Sequence, residues 1–451
     1  MFKTMILANL LLLFWGNSVL RLLWPQGRRS IWIYVPVAYY LGECCVMVWM
    51  YVLAIFGIHF SVLTIDLPIS MMALLSYFFR EHSFKFGISN PAGNEKWGML
   101  KTGLVVVVTL YIAWQIFYVM WMAASVPVFE WDVVWRIGLK ARCFFFDQGL
   151  ADLKNLPYPG YALGGPFMMC WASLQAGIWS EEVLRSIPAF EFLMFIGLFY
   201  GFLSVLLSRF GAILGTGLLV SSGFFTYHAT LLYNDFSVSV LFCSSVFCLV
   251  LWNRSKDNRL LLVASLLMGG AGLFKLESFV YVFLIILTWP FFFALKNSKT
   301  VMIFFVPVML VLICHEILYW NLHVSSNGIN IGFLGMPGIA DRMLKTLTTF
   351  GKQFFGSWNW NVLWGFFLAL WVSDLKCIRD HEELRVLILY LGLFISYLIL
   401  ASILTDKFWI LGGPDSYQTL PRMVLHFYPL CPAAIVLLLK ASKMKFVANA
   451  L

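Results

Sequence analysis

Long apolar runs separated by short polar breaks organise almost the whole chain. Crossing a bilayer core of about 30 Å takes roughly 20 helical residues. Runs near that length lie at 4–23, 31–57, 60–79, 103–124, 186–208, 211–227, 236–252, 260–274, 278–295, 300–320, 357–374, 386–404 and 423–440. The pattern predicts an all-α polytopic membrane protein with about thirteen transmembrane helices. A further apolar segment, YALGGPFMMCWASLQAGIW at 161–179, is expected to be a juxtamembrane or re-entrant helix. Counting it as a span puts the basic loops that follow on the wrong side.

Loop charge sets the orientation. With 125–185 outside, the short inside loops are all basic, as at Arg28 and Arg29, Arg254 to Arg259, and Lys440 to Lys445. The N-terminus then lies outside, which Lys3 opposes. The chain divides into N-terminal helices (1–124), a first large outer loop with interfacial helices (125–185), a transmembrane core (186–320), an outer lid-like loop (321–356) and C-terminal helices (357–451). Long loops gathered on one face are where function is expected.

Composition agrees. The 451 residues are 61% hydrophobic and 12% charged, against about 25% charged in a soluble domain. The net charge of +9 comes from Lys and Arg at the ends of apolar runs. It marks loops facing anionic lipid rather than a nucleic-acid surface. The first run, Met5–Leu23, lacks a small-residue cleavage site and is expected to stay as an anchor. The nine cysteines show no CxxC pair and read as small buried hydrophobes.

Four polar constellations and a few further acids break the apolar pattern. In FEWDVVWRIGLKAR (129–142), Asp132, Arg136 and Lys140 follow one another at one-turn spacing. Trp131, Trp135 and Phe144–Phe146 can dip into lipid. This is either an interfacial helix with a solvated stripe, or a carboxylate held beside phosphate-binding cations. NLPYPGY follows, its two prolines fixing an extended turn at Tyr158. Asn234 and Asp235 sit where a run re-enters the membrane, as a helix cap or as site residues. Lys275 and Glu277 interrupt two runs at an outside turn. Arg422 and His426 share one helical face at the start of the last run. Glu43 and Asp66 lie inside runs, as a structural couple or part of an ion path. His315 and Glu316 have no third metal ligand at a recognisable spacing.

The order of these motifs (FEWDVVWRIGLKAR, YPGY with an apolar helix, YND, FKLES, and a late PRMVLHFYP) resembles the glycosyltransferase-C superfamily over about 120–440. Its members are distant relatives of protein mannosyltransferases and aminoarabinose transferases. The resemblance implies the glycosyltransferase-C fold and an inverting transfer, outside the cytoplasmic membrane, of a sugar from a polyprenyl-phosphate carrier. By motif position it implies Asp132 as catalytic base, with Glu130 as helper and Asp235 as the second-loop acid. It places Arg422 and His426 near the carrier phosphate, while Lys275 and Glu277 shape the pocket. The chain departs from the family where NLPYPGY replaces a His-Pro and Asp-Tyr-Pro pattern. It also carries four runs before the first motif rather than one.

The chemistry asks for a carboxylate to take the acceptor proton and cations for the departing lipid phosphate. Asp132 is the expected base; Arg422, His426, Lys140, Arg142 and Lys275 are the expected donor-binding cations, with Trp131, Trp135, Tyr158, Asn234 and Glu277 around the pocket. No cofactor is certain. Whether Asp132 and Asp235 share a divalent metal (Mg or Mn) is open. The expected partners are a polyprenyl-phosphate-linked sugar donor, a glycan, lipid or protein acceptor, and membrane lipid, with no nucleic acid. The expected place is the cytoplasmic (inner) membrane, multi-pass, with the site on its outer face. A secondary transporter accounts for Glu43 and Asp66 but predicts repeats that the chain does not show. A lipid-linked oligosaccharide ligase or polymerase shares the same outer-face site.

Overall fold

The computed structural model describes residues 2–23, 30–78, 98–150, 153–292, 298–324, 339–373, 380–405 and 416–441. Much of the expected lid (325–338) and several of the inside loops lie outside the described residues. The described residues are helical, with no strand among them. The helices are α1 (Phe2–Leu23), α2 (Ile31–Ile55), α3 (Val62–Phe78), α4 (Met99–Ser125), α5 (Gly138–Asp147), α6 (Gly164–Ala176), α7 (Glu181–Leu206), α8 (Arg209–Val220) and α9 (Gly223–His228). They continue as α10 (Asn234–Ser255), α11 (Asn258–Phe274), α12 (Glu277–Phe292), α13 (Ser298–Asn321), α14 (Ile339–Gly351), α15 (Leu363–Ser373), α16 (Glu382–Leu404), α17 (Ser416–Leu425) and α18 (Leu430–Ala441).

The chain is a multi-pass helical membrane protein. Seven helices (α1, α2, α4, α7, α10, α13 and α16) are long and apolar enough to cross a bilayer. The bent pair α17–α18, broken at 52°, makes an eighth if it counts as one span. Every expected run forms a helix or helix pair, but α3, α8, α11, α12 and α15 have apolar lengths of 10–17 residues. At 1.5 Å per residue these are short of a 30 Å core.

Local chemistry fixes helix starts that the apolar runs place elsewhere: α7 begins five residues before its run at 186, and α9 begins within the run 211–227. Ser180, Ser208 and Ser222 accept backbone N–H groups at the starts of α7, α8 and α9, and α7 adds Glu181 and Glu182 in its first turn. Which helix goes to the centre follows from packing instead. The apolar window of α10 is entirely buried, whereas that of α4 is 11% buried and faces the surroundings. Glycines allow the closest approaches: a Cβ on Gly16 or Gly42 would collide with backbone of the facing helix in the α1–α2 pair. The α6 segment, expected at the surface or as a re-entrant piece, packs inside, with Gly164 to Ser173 all buried.

Two ends of the bundle are distinguishable by their contacts. At one, Arg254 on α10 pairs with Glu383 on α16, and Lys440 on α18 donates to Leu206 O at the end of α7. At the other, α4 and α11 end and α7, α10 and α12 begin, and Arg422 of α17 pairs with Asp235 at the start of α10. The polar constellations meet at this second end.

Candidate functional site

Asp235 is the hub. It occupies the first turn of α10 with 1% of its side chain exposed and receives three donors. Oδ1 accepts from Lys275 Nζ at 2.7 Å and faces His426 Nε2 at 3.1 Å, and Oδ2 accepts from Arg422 Nε at 3.1 Å. Lys275 is placed by the break between α11 and α12, and Arg422 and His426 by one turn at the bend of α17–α18. His426 Nδ1 lies 2.7 Å from the Tyr281 hydroxyl. With Nε2–H donating to Asp235, Nδ1 accepts from Tyr281, which assigns the tautomer from the hydrogen-bond network. A buried carboxylate with this many partners is an anchor for the cations around it.

Asp132 meets this hub from the other side. Its Oδ2 accepts from Arg422 Nη1 at 2.7 Å, so Arg422 bridges the two acids. Its Oδ1 lies 3.3 Å from Arg136 Nη1. The guanidinium of Arg422 lies over the Tyr233 ring, 4.4 Å from its centroid. Asp132 (17% exposed) and Arg422 (21%) are the open members, against 5% for Lys275 and 0% for His426. At the opening two cations, Arg136 and Arg422, face the one carboxylate of Asp132.

A π-turn sets the direction of Asp132. Val133–Ile137 forms one wide turn directly after it, closed by Gly138 N–H on Val133 O. A Cβ on Gly138 would stand 2.6 Å from that carbonyl, so the wide turn needs glycine there. Downstream, Arg136 stacks on the Tyr158 ring at 3.7 Å and Lys140 Nζ donates to Tyr158 O at 2.5 Å. The pair clasps the YPGY turn, where Tyr158 holds a left-handed φ of 52°.

The structure brings Asp132, Asp235, Lys275, Arg422 and His426 together and leaves other expected residues elsewhere. Glu130 turns away from Asp132 into a buried pair with Arg185, 2.8 Å apart, and its other oxygen accepts from Phe129 N. Burial pushes its carboxyl up against the opposing pull of Arg185. Lys140 is buried under Tyr158 rather than open to a ligand, and burial, then the Arg136 charge, lowers its ammonium to about 8. Arg142 is exposed beside Phe146. Its position two residues past Lys140 turns it to the far side of α5. His426 spends both nitrogens inside, so it orients Asp235 and does not face the opening. Asn234 donates to Phe274 O at 2.9 Å and packs against Gly165, bracing the hub. Glu277 opens α12 half-buried. Trp131 and Trp135 are exposed as a ring pair 5.5 Å apart, suited to a membrane interface.

Sequence reasoning missed Arg185, Tyr281, Tyr233 and His228. Arg185 is wholly buried and also donates to Pro127 O and Thr230 O, tying the first motif to the Asp235 loop. A lone arginine one turn into an otherwise apolar run was its signal. His228 stacks on Phe224 at 4.0 Å, and burial lowers its imidazole to about 4.

Glu43 and Asp66 are not a couple. Asp66 accepts from Trp171 Nε1 at 3.0 Å and Gln175 Nε2 at 2.7 Å. Glu43 faces Glu191 of α7, and Ser237 Oγ donates to Glu191 at 2.9 Å. His315 Nδ1 lies 3.2 Å from the Tyr51 hydroxyl while Glu316 is exposed, so the two do not converge. The space between Asp132 and Asp235 is filled by the Arg422 guanidinium. Among the described residues no group of three or more His, Cys, Asp or Glu side chains is placed so that it could hold a metal ion. This arrangement does not fit a divalent ion shared by the two acids. Scans of protein-family models, curated proteins and solved structures return no match to the chain.

Proposed function

We propose that the chain is an inverting glycosyltransferase of the glycosyltransferase-C kind, with about thirteen membrane-crossing helices and its site on the outer face of the cytoplasmic membrane. It moves a sugar from a polyprenyl-phosphate carrier to a glycan, lipid or protein acceptor. The observation that carries the reading is the convergence of Asp132, Asp235, Lys275 and Arg422 from separate segments at one end of the bundle. Only Asp132 and Arg422 keep an open edge.

Asp132 takes the proton of the acceptor hydroxyl as it attacks the anomeric carbon. Arg422 meets the phosphate oxygen that gains charge as the carrier leaves. Asp235, Lys275 and His426 hold Arg422 in place. One carboxylate suffices, because the phosphate leaves without an acid's help. The exposed Trp131 and Trp135 seat this edge at the lipid surface, where the carrier tail stays in the bilayer.

The test is transfer from a panel of polyprenyl-phosphate sugars, with mass spectrometry of the acceptor. Asp132→Asn is expected to abolish transfer while the protein remains folded; near-normal turnover in that variant refutes the role. A secondary transporter is the second reading, and the two wholly buried acids of neighbouring helices, Glu43 on α2 and Glu191 on α7, favour it, since buried carboxyls in spans suit proton coupling. Flux through vesicles without transfer selects it.

A further inference from the structure

We infer that the Asp132–Arg422 contact is a latch opened by an anion: a phosphate group takes Arg422 Nη1 and in doing so frees Asp132. The inference rests on reading the cluster as a carrier-phosphate site, and it adds how that site is switched.

Arg422 is held unequally along its length. Its Nε sits 3.1 Å from Asp235, a residue with 1% exposure that Lys275 and His426 also grip. Its face lies on Tyr233. That inner half is fixed by buried partners. The outer half makes a different contact, Nη1 to Asp132 Oδ2 at 2.7 Å, between two side chains that keep 21% and 17% exposure. A ligand arriving at the opening reaches this contact and the partly exposed Arg136 beside it, but not the buried Asp235, Lys275 and His426.

Asp132 has somewhere to go. Its second oxygen already lies 3.3 Å from Arg136, four residues on. Leaving Arg422 therefore costs it one ion pair and not both. At the opening itself the local charge favours the exchange, since Arg136 and Arg422 both face the single carboxylate of Asp132. A phosphate oxygen is a strong partner for a guanidinium. The exchange also serves chemistry. Both Asp132 oxygens are taken up by arginines, and releasing Arg422 leaves Oδ2 free to face an acceptor hydroxyl only when the leaving group is in place. Asp132 would then be armed by the donor, with no bond made or broken in the switch.

The purified full chain in detergent is titrated with inorganic phosphate and, separately, with a short-chain phosphatidate, following tryptophan fluorescence. A competitor that masks a site weakens apparent binding by the fraction of time it occupies it. Asp132→Asn is therefore expected to bind about tenfold tighter than the unaltered chain. Arg136→Gln leaves Asp132 with Arg422 as its remaining partner and is expected to bind weaker. Arg422→Gln is expected to bind neither probe. Tightening with phosphatidate alone assigns the anion to a lipid, and tightening with both assigns it to phosphate itself; each supports the latch. Equal or weaker binding by Asp132→Asn overturns it, as it would if Asp132 helped to hold the ligand. Unchanged binding by Arg422→Gln overturns both the latch and the phosphate placement. Tighter binding by Asp132→Asn in a chain that transfers no sugar keeps the latch and removes the transferase reading.

Discussion

Replacing Asp235 with asparagine removes the one charge that holds the hub together. In the native arrangement its two oxygens receive Lys275, Arg422 and His426. Lys275 is 5% exposed, so its ammonium has little water to fall back on. Removing one partner of such a buried pair costs about 3–5 kcal/mol, because a charge is left uncompensated. Asparagine keeps a single carbonyl acceptor and places an amide donor against cations, so little of this is recovered. For a chain of this size each kcal/mol moves the melting temperature by roughly 1–2 °C, giving a fall of roughly 3–10 °C. Thermal unfolding in detergent, read by tryptophan fluorescence, measures it. The decisive comparison is Asp235→Asn with Lys275→Met in one chain. That double variant removes both charges, and it is expected to be more stable than the sum of the single changes by about 1–3 kcal/mol. If Asp235→Asn melts with the unaltered chain, or the two changes simply add, the account of Asp235 as a charge anchor is wrong.

Two further outcomes follow from neighbouring positions. The folded Lys140 titrates near 8, below its ordinary 10.5, so its burial cost is full below pH 8 and is relieved as pH rises through that interval. The stability of the unaltered chain relative to Lys140→Met is therefore expected to rise between pH 8 and 10.5, in paired melting curves; a pH-independent difference refutes the buried-ammonium assignment. Gly165→Ala puts a methyl group into the Asn234 side chain, which braces Phe274 O beside the hub. Overpacking of this kind costs about 1–3 kcal/mol, and Gly165→Ala combined with Asn234→Gly is expected to recover part of the lost melting temperature.

The helices were legible because their cause is local. An apolar run of bilayer length has nowhere else to satisfy its backbone, so it folds as a helix wherever it occurs. The apolar run alone put the start of α7 at 186, and the cap at Ser180 with Glu181 and Glu182 moves it to 181. The site was legible only as fragments. Charge is costly in such a chain, so Asp132, Asp235, Lys275, Arg422 and His426 stood out by type and position. Their division of labour did not. Glu130 and Asp132 are two residues apart, yet the turn between them sends one to a buried arginine and the other to the opening. Lys140 read as a free cation on an interfacial helix, and the fold buries it under Tyr158.

The sequence by itself determined that this chain is a bundle of membrane helices with rare charges at their ends, because hydropathy and charge cost act residue by residue. Tertiary structure alone decided which charges meet. Arg422 lies 290 positions from Asp132 and 187 from Asp235, and it touches both. No local propensity encodes such a distance. It is set by how the helices pack, by glycines where they approach and by the bend before α18, and that packing decides which acid is buried as an anchor and which stays partly open.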